Sequence, residues 1–126
     1  FEYEPFRNGT LFDFLVEQTD PSYVSFEMDI YWAFFPGQEP AAIIDKYTSR
    51  FKAIHIKDLK KGVTGDLSGS TSPENSVVLG TGQINVADCL AAAKAAGIQH
   101  YYLEDESDNV QAQVPQSLAY LAGLKL

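Results

Sequence analysis

Three side chains that can bind a metal ion stand at comparable places in three apolar, strand-like runs. They are Asp29, His55 and Glu104: the two acids each follow a run, and the histidine lies near the end of one. The runs cover residues 23–28, 51–56 and 100–103. Carboxylates and imidazole are ligands of Mn²⁺, Mg²⁺, Co²⁺ or Zn²⁺. The sequence therefore predicts a divalent-metal site formed by these three residues.

The pattern around these runs predicts how they come together. Helix-like stretches alternate with the runs, which is typical of an α/β fold with parallel strands. Parallel strands bring their carboxyl ends to one edge of the sheet, where the active sites of such folds lie. Each residue also has a structural interpretation: Asp29 could cap a helix, His55 could be a core histidine, and Glu104 could belong to an acidic loop. Their common position favours a metal site.

Turn residues and apolar periodicity give the expected boundaries. Thr10 is the expected N-cap of the first helix, Gly97 should follow the end of a later one, and Pro115 should begin the last. The expected helices are 11–17, 41–47, 85–96 and 115–122, and the expected strands are 23–30, 51–57 and 100–104. The first helix is expected to bury Leu11, Phe14 and Leu15. Residues 58–82 should make an irregular excursion over the edge that carries the site, with an extended stretch at 77–79 and a turn at 80–82.

Two further residues are candidates for substrate binding. Trp32 belongs to an aromatic stretch, 31–37, that directly follows Asp29 and is expected to be a loop. Its rings either form a pocket wall or cover the edge of the core. Lys57 lies two residues after His55, on the same face of the strand, so it could hold a substrate oxygen or phosphate. Alternatively, Lys57 simply ends the strand in water.

Composition restricts the classes of function. With 126 residues, of which 45% are hydrophobic, residues 1–126 are expected to form a single domain. The net charge of −8 argues against a nucleic-acid partner, and no apolar run approaches the ~20 residues that cross a membrane. The single cysteine, Cys89, lies in an apolar helix and is expected in the core. No targeting signal can be recognised, so the location stays open, with the cytoplasm favoured over the periplasm.

Four segments together resemble a known family. They are 26–32 (FEMDIYW), 55–58 (HIKD), 80–85 (GTGQIN) and 102–106 (YLEDE). In order and identity they resemble the sugar phosphate isomerase/epimerase family, the xylose-isomerase-like barrels that include the AP endonuclease type 2 proteins. The resemblance implies a (β/α)₈ TIM barrel of which this chain covers about the C-terminal half, (β/α)₄. It also implies a metal held by Glu, Asp, His and Glu, in which Asp29, His55 and Glu104 match the second, third and fourth ligands. The first ligand is expected on a strand before Phe1.

The resemblance implies a metal-dependent sugar or sugar phosphate isomerase/epimerase. Its reaction is a proton transfer next to a carbonyl that the metal polarises, with Glu104 as one of two acid/base carboxylates. Because the second carboxylate is missing, we expect this partial barrel to be inactive alone. Its open sheet edges favour a homo-oligomer. The alternatives are a metal-dependent hydrolase or lyase such as an AP endonuclease, and a noncatalytic carbohydrate-binding half barrel that uses Trp32.

Overall fold

The computed structural model describes residues 1–125. Short strands and helices alternate along the chain. Their bounds are β1 Pro5–Phe6, β2 Gly9–Thr10, α1 Leu11–Glu17, β3 Phe26–Asp29, α2 Ile30–Phe34, α3 Pro40–Lys46, β4 Phe51–Ile56, β5 Asp58–Leu59, a 3₁₀ turn Pro73–Asn75, β6 Ser76–Val77, α4 Val86–Ala95, β7 His100–Leu103 and α5 Val110–Gly123. Helices α1, α3 and α4 lie within one residue of their predicted bounds. The α/β architecture expected from the sequence is confirmed.

A three-stranded parallel sheet positions the candidate site. Its strand order is β3-β4-β7, so both neighbouring pairs are parallel, as predicted. In this register Asp29 lies beside His55, and His55 lies beside Tyr102. A bulge between Phe26 and Glu27 shifts the start of β3 relative to β4. The register therefore brings the ends of the three strands to one edge of the sheet.

The hydrophobic core lies on the face of this sheet that is opposite the side chains of Asp29 and His55. The side chains of Met28, Ile54 and Ile56 are buried there, and helices α3 and α4 pack against each other in the same cluster. The side chain of Cys89, on α4, belongs to this cluster and is buried, as expected. Burial raises the pKa of its thiol to about 12. Cys89 is therefore a packing residue and not a reactive thiolate.

Helix α1 begins as predicted but buries a different face. Thr10 is its N-cap, and the backbone N–H of Asp13 donates to the Thr10 hydroxyl at 3.2 Å. The buried residues are Phe12 and Val16, whereas Leu15 is 44% exposed. The predicted face of Leu11, Phe14 and Leu15 was wrong. Phe12 takes the inner position because its ring packs against the aromatic rings at the starts of β3 and β4.

The first part of the aromatic stretch is a helix and not the predicted loop, because residues 31–34 belong to α2, whereas residues 35–37 form a turn. Strand β3 is shorter than the predicted 23–30, and α2 begins directly after it at Ile30. The side chain of Asp29 favours this switch from strand to helix, because its Oδ1 accepts hydrogen bonds from the N–H groups of Tyr31 and Trp32, at 2.9 and 3.0 Å. These are donors that a helix start leaves unpaired.

The last helix begins five residues earlier than predicted. Helix α5 starts at Val110, and Pro115 lies inside it instead of at its first position. The carbonyl of Asn109 accepts hydrogen bonds from the N–H groups of Ala112 and Gln113, so the first turn forms upstream of the proline. Proline cannot donate a hydrogen bond to the carbonyl four residues earlier. That carbonyl belongs to Gln111, which is exposed, so water can replace the lost bond.

The long segment after β4 is held at both ends. Strands β5 and β6 pair antiparallel, with Asp58 opposite Val77 and Leu59 opposite Ser76. The predicted extended stretch at 77–79 therefore lies at Ser76–Val77. Between the two strands, residues 66–69 approach the end of β3 and line a cavity together with Asp29. The segment is thus an excursion over the edge that carries the site, as expected.

One edge of the sheet leaves apolar side chains exposed. Strand β7 is an edge strand of the three-stranded sheet, and its Tyr101 and Tyr102 are 40% and 49% exposed. Leu118 on the following helix is 53% exposed. Association between copies through this edge stays a prediction.

Within residues 1–125, every helix falls short of the length or apolar character that a membrane span requires.

Candidate functional site

The three predicted metal ligands converge at the carboxyl ends of β3, β4 and β7. Asp29 and His55 are register partners, and Glu104 continues the ladder because its N–H donates to the carbonyl of Ile56 at 3.2 Å. One potential ligand atom from each of Asp29, His55 and Glu104 lies within 4.8 Å of the other two. His55 Nδ1 lies 2.9 Å from Glu104 Oε2 and 3.7 Å from Asp29 Oδ2. These residues form a group that could hold a metal ion.

Asp29 combines the capping and the site roles. Its Oδ1 accepts the two N–H groups at the start of α2, while its Oδ2 points toward His55 and Lys57. Burial raises the pKa of Asp29, although the N–H of Trp32 and the charge of Lys57 oppose this effect. The structural and functional interpretations of Asp29 are therefore compatible, because each uses a different oxygen.

Lys57 is buried at the centre of the acidic group. Only 2% of its side chain is exposed, so the alternative that it ends the strand in water was wrong. Its Nζ lies 3.1 Å from Glu104 Oε2, 3.2 Å from Glu106 Oε2 and 3.7 Å from Asp29 Oδ2. Burial lowers the pKa of Lys57, but the surrounding carboxylates outweigh burial and raise the pKa above its ordinary value. The ammonium is an internal counter-ion for this site.

Two neighbouring acids were not identified from the sequence. Glu27 Oε1 lies 3.2 Å from His55 Nε2, the nitrogen opposite the one that faces the other ligands. Glu106 contacts Lys57. Each acid stands two residues from a predicted ligand: Glu27 precedes Asp29 on the same strand face, and Glu106 follows Glu104. The period of two along a strand was the signal that could have found Glu27.

Asp58 holds the turn at residues 80–84, which precedes α4. Its carboxylate is fully buried and accepts hydrogen bonds from three backbone N–H groups, those of Gly80, Gly82 and Ile84. Burial raises the pKa of Asp58, and these N–H donors oppose the rise. A Cβ at Gly82 would lie 2.2 Å from Asp58 Oδ1. The segment 80–82 is thus the predicted turn before α4, and its glycines allow the close approach of Asp58.

A cavity of about 820 Å³ adjoins the acidic group. Its wall includes Glu27, Asp29 and Trp32, together with residues 66–69 of the long loop, whereas His55 and Glu104 lie outside its lining. Trp32 is half-buried and forms part of this wall, while the neighbouring Tyr31 is buried in the core. Both interpretations of the aromatic stretch are therefore correct for different rings. Binding of substrate by Trp32 stays a prediction.

The donor set fits a hard or borderline divalent cation. Two carboxylates and one imidazole supply oxygen and nitrogen atoms, as Mn²⁺, Mg²⁺, Co²⁺ and Zn²⁺ sites do. The spread of 4.8 Å fits atoms that surround one ion, because two ligands on opposite sides of an ion at ~2.1 Å are ~4.2 Å apart. Residues Asp29, His55 and Glu104 therefore need only small movements to share one metal.

Comparison with known proteins identifies curated relatives that are named inosose dehydratases. No family model matches the chain. An inosose dehydratase of Bacillus cereus (strain AH820) is 43% identical over 49 residues, which cover 39% of this chain and 16% of the relative. An inosose dehydratase of Clostridium tetani (strain Massachusetts / E88) is 37% identical over 51 residues, which cover 40% of this chain and 17% of the relative. The matched segment is therefore a small part of these curated relatives.

Solved structures match nearly the whole chain. Two structures of a sugar phosphate isomerase/epimerase from Parabacteroides distasonis ATCC 8503 superpose with TM-scores of 0.72 and 0.73, at 28% and 29% sequence identity. The matches cover 97% and 98% of this chain but only 38% and 40% of the solved chains. The predicted resemblance is confirmed: this chain shares the α/β TIM-barrel fold of sugar phosphate isomerases/epimerases over part of their length.

Proposed function

We propose that this chain supplies the metal-binding part of a sugar isomerase/epimerase that depends on a divalent metal. The observation that carries the proposal is the convergence of Asp29, His55 and Glu104 within 4.8 Å at the carboxyl ends of neighbouring parallel strands. The sugar-modifying relatives and the solved isomerase/epimerase structures support it. Because the solved chains extend well beyond the matched part, the working enzyme is proposed to be a whole barrel that contains this chain.

Glu104 is the proposed acid/base residue. Its carboxylate is partly exposed, so it is accessible to a substrate. Lys57 Nζ holds its Oε2 at 3.1 Å, and the same oxygen lies 2.9 Å from His55 Nδ1. These contacts fix the direction in which its oxygens point. A carboxylate held in this way can take a proton from the carbon next to a carbonyl and return it to that carbon. When bound at this site, a divalent metal would polarise the carbonyl and make that proton more acidic.

The test is deuterium exchange from D₂O into the carbon next to the carbonyl of a keto-sugar, catalysed by the whole-barrel enzyme loaded with Mn²⁺. Glu104→Gln is expected to lower the exchange rate by roughly 10²–10⁴-fold at saturating Mn²⁺. Glu74→Gln removes an exposed carboxylate outside the acidic group and should leave the rate unchanged. Full exchange activity in Glu104→Gln would exclude Glu104 from proton transfer.

A lyase reaction is the second candidate, because the curated relatives are named as dehydratases. Removal of water from a keto-sugar begins with the same loss of a proton next to the carbonyl, so the same residues would serve both reactions. Product analysis separates them: an epimerase returns an isomer of equal mass, whereas a dehydratase returns a product that has lost one water. Both reactions should be lost with EDTA and restored by Mn²⁺.

A further inference from the structure

The cavity beside the acidic group has a wall of aromatic rings. Phe12, Phe26, Trp32 and Phe35 all contribute to its lining. The ring of Trp32 makes an edge contact with Phe35 at a centroid distance of 5.6 Å, which holds it in place. Flat aromatic surfaces suit the C–H faces of a sugar or cyclitol ring, which are apolar although the hydroxyl groups around them are polar. The wall therefore offers contact area to an uncharged polyhydroxy ring.

The charged side chains on the cavity wall are acids. Carboxylates reach it from five residues, and none of the residues that line it is a lysine or arginine. They are Glu2, Glu4, Glu27, Asp29 and Asp66. Hydrogen bonds from Ser68, whose N–H lies 2.8 Å from Asp66 Oδ1, hold the pKa of Asp66 below its usual range. The cavity thus has a negative field that opposes a phosphate group.

The groups that proteins normally use to bind phosphate are engaged elsewhere. Lys57, which contacts the lining residue Asp29, is enclosed by Asp29, Glu104 and Glu106 and is 2% exposed. The N–H groups at the start of α2, the helix start nearest the site, are also engaged, because they donate hydrogen bonds to the Asp29 carboxylate. Phosphate sites usually use an accessible Arg or Lys or such free N–H groups. This side of the site supplies neither.

We propose that the substrate is an uncharged polyhydroxy ketone without a phosphate group, either a keto-sugar or a keto-cyclitol. This inference rests on the proposed function, since it assigns the cavity beside the proposed metal ligands to the substrate. It distinguishes between the two kinds of substrate that the names of the relatives contain, a sugar phosphate and an inosose. The aromatic wall would contact the ring, and the acidic residues would accept hydrogen bonds from the hydroxyl groups.

The test compares two probes that differ in one phosphate, D-fructose and D-fructose 6-phosphate. Binding is followed by the fluorescence of Trp32, the single tryptophan of the chain, with and without Mn²⁺. At low ionic strength the phosphate ester is expected to bind at least tenfold more weakly than the free sugar. The difference should shrink as salt is added, because exposed charges are screened. Asp66→Lys should reduce the difference in affinity between the two probes. Asp108→Lys makes the same charge change at a residue outside the cavity and should reduce this difference less.

Equal or tighter binding of fructose 6-phosphate would overturn this inference, as would the absence of binding by both probes. Asp66→Lys and Asp108→Lys acting equally on phosphate binding would overturn the assignment of the cavity to the substrate. The Mn²⁺ titration is a separate readout. Failure of Mn²⁺ to bind would overturn the proposed function. The ratio of the affinities for the two probes, measured without metal, would still decide the substrate class.

Discussion

The Nζ atom of Lys57 lies 3.1 Å from Glu104 Oε2, the same oxygen that lies 2.9 Å from His55 Nδ1. The buried ammonium of Lys57 and the ring of His55 therefore contact the same oxygen of Glu104, which is itself a proposed metal ligand. A positive charge already offsets part of the acidic group before any metal binds, so the strands can bring their carboxylates together without excessive repulsion. A metal ion would share these carboxylates with Lys57.

Replacing Lys57 by methionine tests this counter-ion role. Lys57→Met keeps the apolar stem but leaves three carboxylates without their central cation, so we expect the free energy of unfolding to fall by about 1–3 kcal/mol. The lower part of this range is favoured by the exposure of Glu104 and Glu106. Urea unfolding with and without Mn²⁺ measures the effect. Mn²⁺ should restore more stability to Lys57→Met than to the wild type.

The matched control is Lys52→Met, which removes an exposed ammonium from the same strand. It should change the free energy of unfolding by no more than ~0.5 kcal/mol. If the two variants were equally stable, Lys57 would have no special electrostatic role.

Glu27 is expected to orient His55. Its Oε1 lies 3.2 Å from Nε2, so it favours the tautomer that carries the proton on Nε2 and leaves Nδ1 free to face Asp29 and Glu104. Glu27→Gln should weaken Mn²⁺ binding by roughly tenfold, as loss of such a partner does in other metal sites. Calorimetric titration measures the affinity, and ¹⁵N shifts of the His55 ring report the tautomer.

Glu17→Gln, at the exposed end of α1, is the control for Glu27→Gln and should bind Mn²⁺ like the wild type. An unchanged tautomer and an unchanged affinity in Glu27→Gln would mean that the contact at Nε2 does not position the ring.

Gly82 is expected to tolerate no side chain. A Cβ there would lie 2.2 Å from Asp58 Oδ1 and 2.4 Å from the carbonyl oxygen of Leu59, so Gly82→Ala forces the turn away from the buried carboxylate. We expect a loss of about 1–3 kcal/mol in the free energy of unfolding. A Cβ at Gly123 meets nothing within 4 Å, and Gly123→Ala should be neutral or slightly stabilising. Thermal denaturation of the two variants decides the matter, and equal melting temperatures would contradict the expected crowding.

Asp13 should make stability depend on acid pH. Its Oδ1 accepts hydrogen bonds from Lys46 Nζ and the Tyr47 hydroxyl, and its Oδ2 from the N–H of Thr10. Burial raises the pKa of Asp13, but these hydrogen bonds outweigh burial and hold the pKa well below its usual range. A lowered pKa in the folded state contributes stability above the unfolded value of ~3.9, and this contribution is lost as pH falls through the folded value.

Asp13→Asn should therefore lower the free energy of unfolding by about 1 kcal/mol at pH 7, and the difference from the wild type should shrink below about pH 4. Urea unfolding between pH 7 and pH 3 measures it. Asp45→Asn, an exposed aspartate on α3, should give no such pH dependence. A difference that stays constant with pH would rule out the ionisation of Asp13 as its source.

The strands and the convergence of Asp29, His55 and Glu104 could be predicted because they depend on local pattern. The apolar runs around Asp29, His55 and Glu104 determine which residues reach the edge of the sheet, and period-two alternation places their side chains on one face. The start of α1 was readable at Thr10, the predicted N-cap, and α4 begins one residue after the predicted start because Asn85 is its cap.

The errors arose where tertiary contacts decide. Nothing local distinguishes Phe12 from Leu11 and Leu15 as the inner residue of α1, since the choice depends on rings contributed by β3 and β4. The burial of Lys57 depends on Glu106, which follows a strand more than forty residues later. The capping by Asp29 was considered as an alternative to metal binding, and only the geometry shows that its two oxygens can serve both.

The most direct test of the central claim is a Mn²⁺ titration followed by the electron paramagnetic resonance signal of the free ion. The account predicts one bound Mn²⁺ per chain, with affinity at least tenfold lower in Asp29→Asn and His55→Asn. In His100→Asn, which alters an exposed histidine at the start of β7, the affinity should not change. Absence of Mn²⁺ binding, or equal affinity in all three variants, would contradict the assignment of Asp29, His55 and Glu104 as a metal site.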